Sequence, residues 1–283
     1  MIFWIASYPK SGNTWLRTLL SAYYYSKEGF FSENLIKNIG QFPEKKHFEG
    51  FNYIPKLVID TSRFWIKAQE RINKDNKLRF FKTHNVFGSI NNRRFTDKNN
   101  SIGCIYIVRD PRNVITSLKN HYELKYQQAL EWMLNHKKYI FDHEKEEEFS
   151  DFQFISSWEN NYKSWQSQKE LPIKIVRYED LLDQTYATFL EIIEFINKTT
   201  KNTDKKIDKL KLKNSINSTS FHKLKANEEK HGFSEAISSR KENKQIPFFF
   251  LGPENDWKKI LDEDLKIKLN NIFKKNLKEL SYI

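Results

Sequence analysis

Ile5-Ala6-Ser7-Tyr8-Pro9-Lys10-Ser11-Gly12-Asn13-Thr14-Trp15 extends the apolar run Ile2-Phe3-Trp4-Ile5 and leads into a helix-forming stretch that ends near Tyr25. The pattern reads as a buried strand, a tight Pro-Lys-Ser-Gly turn, and a helix from Gly12 to Tyr25. A helix start leaves backbone NH groups without intrahelical partners, and the helix dipole adds positive potential at the same place. A strand, turn and helix in this order therefore make an anion seat. Gly12 lets the backbone approach a ligand closely, and Lys10 brings a mobile positive charge. Ser11, Asn13 and Thr14 add polar donors, and Trp15 offers a flat face for a base.

The order of residues inside the turn narrows the chemistry. In the nucleotide-binding loop G-x-x-x-x-G-K-[ST] the lysine follows the second glycine. Here Lys10 precedes Gly12 and no glycine lies upstream, which argues against a nucleotide-dependent phosphotransferase. The run instead resembles the Tyr-Pro-Lys-Ser-Gly-Thr-Thr-Trp motif of the sulfotransferase family, with Asn13 as its one departure. That resemblance implies that Lys10, Ser11, Gly12, Asn13, Thr14 and Trp15 bind the 5′-phosphosulfate end of 3′-phosphoadenosine 5′-phosphosulfate (PAPS).

Composition is compatible with that reading. With 283 residues, 39% hydrophobic and 15% aromatic, the chain has material for a sizeable core, and it shows no Pro-, Gly- or Ser-rich linker. One domain over residues 1–283 is expected. The single cysteine, Cys104, sits in the apolar run Ile102 to Val108, where it fills core space and has no disulfide partner. A reducing cytoplasm suits this pattern. The start of the chain shows no basic leader followed by a long apolar stretch, and no window reaches the roughly 20 apolar residues of a membrane span. The formal net charge of +12 is spread over lysines that sit close to Asp and Glu, as in Lys258 to Lys268. Such mixed faces are usual for solvated helix surface. A non-catalytic polyanion- or nucleic-acid-binding protein has only that charge and the aromatics in its favour.

Further along, residues 26–77 show no strong period and are expected to form helices and loops. Leu78 to His84 and Cys104 to Val108 read as buried parallel strands whose polar residues gather at the C-terminal ends, where open α/β sheets hold ligands. Helices are expected over Arg112 to Tyr122, with Val114, Ile115 and Leu118 inward, over Phe152 to Gln168, and over Thr185 to Asn197, with Phe189, Ile192, Ile193 and Ile196 on one side. Ile173 to Tyr178 reads as another strand, and Lys198 to Lys213 as an exposed connection and helix. The expected fold is α/β: a single domain with a central, mostly parallel sheet flanked by helices and a phosphate-binding loop after the first strand.

Arg109 ends a strand and Ser117 falls on the second turn of the next helix, a spacing that lets a guanidinium fork and a hydroxyl reach one anion. On their own these residues fit an ordinary salt bridge and a surface hydroxyl equally well. The string Ile107 to Ser117 resembles the sulfotransferase 3′-phosphate motif, which implies that Arg109 and Ser117 hold the 3′-phosphate of PAPS. Lys82-Thr83-His84 resembles the family's Lys-Thr-His segment, whose histidine is the catalytic base; Lys82 and Lys10 would assist the leaving group. His121 is the next histidine candidate, expected at the helix surface or the cleft edge. Tyr178-Glu179-Asp180 and Thr219-Ser220-Phe221 resemble two further family segments, so Tyr178 and Phe221 would join Trp15 around the adenine. Glu179 and Asp180 have an ordinary alternative as helix caps. Phe250 to Lys258 resembles the Arg-Lys-Gly-x-x-Gly-Asp-Trp-Lys segment and keeps Gly252, Asp256, Trp257 and Lys258. Phe250 and Leu251 replace its Arg and Lys, which weakens the implied 3′-phosphate subsite unless Arg240 and Lys241 substitute.

The resemblance implies sulfuryl transfer from PAPS to an acceptor hydroxyl or amine, without a metal, with His84 as base. A family-like protein that has kept nucleotide binding and lost turnover is the variant reading that Phe250 and Leu251 suggest. The acceptor is expected to be a small molecule, carbohydrate or lipid, held by residues 26–77, 85–100 and 123–150; no nucleic acid and no membrane span are expected.

Overall fold

The computed structural model describes residues 1–141, 148–204, 206–239 and 245–283. Four strands form one parallel sheet: β1 (Ile2–Ser7), β2 (Arg79–Thr83), β3 (Ser101–Val108) and β4 (Ile173–Arg177), in the order β2-β1-β3-β4. Ala6 lies beside Thr83, Ser7 beside Ile107, and Val108 beside Arg177. All strands being parallel, the residues that follow them emerge at one edge. That places the turn after β1, His84, Arg109 and Tyr178 side by side.

Every residue of β1 is buried, as a strand covered on both faces requires. Its alternating side chains divide between two cores. Trp4 and Ala6 face one layer with Val114, Ile115 and Leu118 of α2 (Pro111–His121) and Trp158, Tyr162 and Trp165 of α3 (Trp158–Ser167). Phe3 and Ile5 face the other, with Leu16, Leu19 and Leu20 of α1 (Asn13–Tyr25) and Phe189, Ile192, Ile193 and Ile196 of α4 (Thr185–Thr199). Helices thus cover both faces, and the inward residues expected of α2 and α4 are those found. Cys104 is fully buried in β3.

Local chemistry moves several boundaries. α2 starts one residue early because Pro111 occupies its first position and the Asp110 carboxylate accepts from Arg112 NH at 2.9 Å. α3 is shorter than the expected Phe152 to Gln168. Ser156 takes φ 55°, Ser157 caps the helix by accepting from Asn160 NH, and Gln153–Phe154 instead pairs antiparallel with Tyr139–Ile140. β4 stops at Arg177, and Tyr178 opens the short helix Tyr178–Asp183 with Glu179 and Asp180 in its first turn. Within the expected Lys198 to Lys213 segment, α5 (Lys209–Ser218) begins only after the Asp208 cap. Residues 26–77 hold short helices, of which Trp65–Ile72 is the longest. No helix among the described residues is long and apolar enough to cross a membrane.

Candidate functional site

A cavity of about 470 Å³ lies over the carboxyl ends of the strands, lined by the turn after β1, Lys82, His84, Arg109, Tyr178 and residues from the C-terminal third. The chain runs from β1 out to β2 and then crosses back over β1 to β3, which makes the boundary between β1 and β3 the switch point at which open α/β sheets bind ligands.

Backbone shape and side-chain pins fix the turn. Lys10 and Gly12 both take positive φ, 65° and 99°. A Cβ at Gly12 would stand 2.4 Å from the Tyr178 ring, so only glycine allows this close approach. Asn13, the departure from the resembled motif, donates its side-chain amide to the Ile5 carbonyl at 2.9 Å and to Ser7 Oγ at 3.1 Å. Its amide nitrogen thereby tethers the helix start to β1. Ser11 is fully buried, its hydroxyl has no partner, and it is absent from the residues lining the cavity. Arg109 donates to the Lys10 carbonyl at 3.2 Å and lies 4.2 Å over the Tyr178 ring, with its Nε buried and unpartnered.

Glu235 is the residue that sequence reasoning missed. Thr14 Oγ1 donates to its Oε2 at 2.7 Å, Lys82 Nζ to its Oε1 at 3.3 Å, and Arg17 to the same oxygen. Those three contacts hold the carboxyl well below the usual carboxylate range despite burial. Glu235 thus joins Thr14 at the start of α1 to Arg17 further along it and to Lys82 of β2. Gly-Phe-Ser-Glu-Ala carries no motif, and only the fold joins position 235 to position 14. Burial lowers both lysines; Lys10 comes down to about 7, with Glu235 opposing the fall and Lys82 and Arg109 adding to it. Lys10 Nζ rests 4.1 Å over the Phe248 ring.

His84 is oriented through its other nitrogen. Nδ1 stands 2.7 Å from the Ser7 carbonyl oxygen, which only accepts, so Nδ1 carries the proton and Nε2 keeps its lone pair. The backbone of His84 is held as well: its NH donates to Gln153 Oε1 at 2.7 Å and its carbonyl accepts from Asn161 at 2.9 Å. Burial and the Lys82 charge lower its pKa to about 3. The ring is neutral at pH 7. His121 is not on the helix surface as one expectation had it; it is 8% exposed and lines the same cavity.

The opposite end is aromatic. Trp15 and Tyr178 meet edge to face at 5.7 Å, and Trp15 Nε1 donates to the Thr219 carbonyl at 3.0 Å. Phe221 opens α6 (Phe221–His231), and a Cβ at Gly252, φ 53°, would meet its ring at 2.2 Å. Ser117 of α2 lines the cavity. Phe250 and Leu251 also line it, so apolar side chains stand where the resembled segment has Arg and Lys. The cations among the described lining residues are Lys10, Lys82 and Arg109; Arg240 and Lys241 lie outside the described residues. Asn255, Asp256 and Trp257 have a structural task. Asn255 Nδ2 donates to the Asn113 carbonyl at 2.9 Å, Trp257 NH to Asn113 Oδ1 at 2.9 Å, and Asp256 caps the helix Trp257–Ile260, docking this segment on α2.

Of the segments expected to hold the acceptor, residues 26–77 contribute only Gln41 to the lining of this cavity, the described part of 123–150 only Ile140, and 85–100 none. Phe248 and Phe249 line it too, their NH groups donating to the Glu228 carboxylate at 2.7 and 2.8 Å.

Comparison with known proteins agrees with this arrangement. Luciferin sulfotransferase of Photinus pyralis is 24% identical over 291 residues, covering 99% of this chain and 72% of that protein. Sulfotransferase 1E1 of Bos taurus is 24% identical over 276 residues, 97% of this chain and 82% of its own. Among solved structures, retinol dehydratase in complex with androsterone and the inactive cofactor PAP shares the fold, with TM-score 0.57 and 17% identity over 98% of this chain and 80% of that one. The family described as sulfotransferase domain matches residues 2–281, and the chain belongs to it.

Proposed function

We propose that this protein transfers a sulfuryl group from PAPS to the hydroxyl of a small acceptor by in-line displacement, with His84 as general base. The observation that carries the reading is the fixed tautomer of His84: Nδ1 is committed to the Ser7 carbonyl, and Nε2 is free to take a proton in a cavity that also holds Lys10, Lys82 and Arg109. The residues fit the nucleotide. Arg109 Nε is buried without a partner among the described residues, and Trp15, Tyr178 and Phe221 line the cavity, with the Tyr178 ring packed directly on Gly12. When bound, PAPS supplies an activated sulfuryl group and leaves as 3′,5′-adenosine bisphosphate (PAP).

The chain's own groups divide the remaining work. His84 Nε2 removes the acceptor proton as the oxygen attacks sulfur. Lys10 and the NH groups at Ser11 to Thr14 stabilise charge on the departing phosphate, and Lys82 assists. Arg109 and Ser117 hold the 3′-phosphate. Burial is the larger cause of the low His84 pKa, with the charges of Lys82 and Arg17 adding to it; an anionic donor beside Lys82 opposes the Lys82 part of that shift.

Transfer of labelled sulfate from PAPS to a panel of phenols and alcohols tests the proposal. Labelled product from PAPS, and no phosphorylated product from ATP with magnesium, is expected; the reverse outcome would sink it. The charge on Lys10 gives a second check. Its pKa near 7 in the free protein rises when phosphate lies beside the ammonium, so the complex binds more protons than the free protein. PAP binding should take up protons at pH 7.5, and affinity should fall as pH rises from 7 to 9. Calorimetry in buffers of different ionisation enthalpy reads the uptake directly.

Glu235 opposes the same event. Glu235→Gln removes a negative charge from the seat of the 5′-phosphate and frees Arg17 and Lys82. PAP should bind about 5- to 30-fold more tightly to the variant, a gain of about 1–2 kcal/mol from removing like-charge opposition, while the free protein melts at lower temperature. Weaker PAP binding by Glu235→Gln would show that the carboxylate positions the cations instead.

A further inference from the structure

His121 closes the face of α2 that looks into the cavity. Ser117 and His121 are four residues apart and stack on one side of the helix, and both line the cavity. The face thus runs from the proposed 3′-phosphate group, Ser117, to a second imidazole. His121 lines the same cavity as Lys10, Lys82, Glu235 and His84. It is 8% exposed, it packs edge to face on Tyr122 at 4.7 Å and on Phe248 at 5.8 Å, and its Nδ1 is buried with no hydrogen-bond partner. Nε2 has none either among the hydrogen bonds of the described residues. Burial and the two lysines keep the ring neutral, so it offers one donor and one acceptor.

A buried imidazole nitrogen without a partner is costly to maintain, and pairing is the rule for buried polar groups. His84 already serves the reacting hydroxyl under the function proposed above, on which this inference rests. We propose that His121 is a specificity residue that hydrogen-bonds a second polar group of the acceptor, and that the acceptor is an uncharged aromatic molecule carrying a hydroxyl or carbonyl apart from the reacting hydroxyl. The flat walls Tyr122 and Phe248, with Pro9 and Ile140, suit an aromatic ring. Lys10 and Lys82 in the same cavity disfavour an ammonium group.

The test compares 2-naphthol with 2,6- and 2,7-dihydroxynaphthalene. Binding to the PAP-loaded protein is measured by calorimetry, and turnover is measured with PAPS. At least one diol should bind about tenfold more tightly than 2-naphthol to the unaltered protein, with the difference in KM rather than kcat. His121→Phe should bring that ratio to about one while PAP affinity holds, and His121→Asn, which keeps a donor and an acceptor, should restore part of it. Absence of any diol preference in the unaltered protein, a preference that survives His121→Phe, or equal loss for diol and 2-naphthol overturns the assignment. Absence of sulfate transfer with intact, His121-dependent diol binding would instead overturn the proposed reaction and leave the specificity role standing.

Discussion

Replacing His84 with alanine should lower sulfate transfer by about 10²- to 10⁴-fold, the usual contribution of a positioned general base, while PAP affinity changes little. The side chain has one proton-accepting nitrogen free and its other nitrogen committed to Ser7, so truncation removes the base and leaves the turn after β1 in place. His84→Gln separates base chemistry from packing: an amide preserves a hydrogen bond to Ser7 and accepts no proton. Initial rates at saturating PAPS, paired with calorimetry on PAP, decide the matter. Full turnover in His84→Gln would remove His84 from the chemistry, and a parallel loss of PAP affinity would make it part of the nucleotide seat.

Arg109→Ala should weaken PAP binding by roughly 10- to 150-fold. The group is a buried guanidinium stacked on Tyr178 with a nitrogen left unpaired, and a hydrogen bond to a charged group is worth about 1.5–3 kcal/mol. With apolar Phe250 and Leu251 in the cavity lining, the proposed task falls on Arg109 and Ser117 among the described residues. Arg109→Lys should recover only part of the loss, since a point charge does not reproduce a planar fork. An affinity within twofold of the unaltered protein in Arg109→Ala would mean that cations elsewhere hold the 3′-phosphate.

The parts legible in the sequence were those whose signal is local. β1, its turn and α1 follow one another without interruption, and the apolar run of β3 with Asp110-Pro111 announces a buried strand and a capped helix. His84, Arg109 and Tyr178 were marked by motifs that resemble the family's, and they come together because each directly follows a strand of a parallel sheet, whatever their separation in sequence. What escaped depends on distant contacts. Glu235 meets Thr14 across 221 residues, and a lone glutamate in a motif-free stretch carries no trace of that meeting. The aromatic wall at Phe248 and Phe249 is placed by the Glu228 carboxylate, again a contact that hydropathy does not encode. The over-long α3 failed for a different reason: the apolar and aromatic residues at Phe152 and Phe154 suit a short ribbon as well as a helix, and the conformation of Ser156 decides between them.

The position of β1 in the sheet also bears on how the chain is assembled. The central strand is made first, yet its neighbours β2 and β3 begin at residues 79 and 101. During synthesis a mostly apolar segment waits for partners that lie far along the chain, which favours slow folding and exposes the nascent protein to aggregation. Thr219 and Glu235, which complete the surroundings of Trp15 and Thr14, arrive only after most of the chain has been synthesised. The turn after β1 is therefore synthesised well before the segments that complete its surroundings, and it is among the last parts of the fold to be finished.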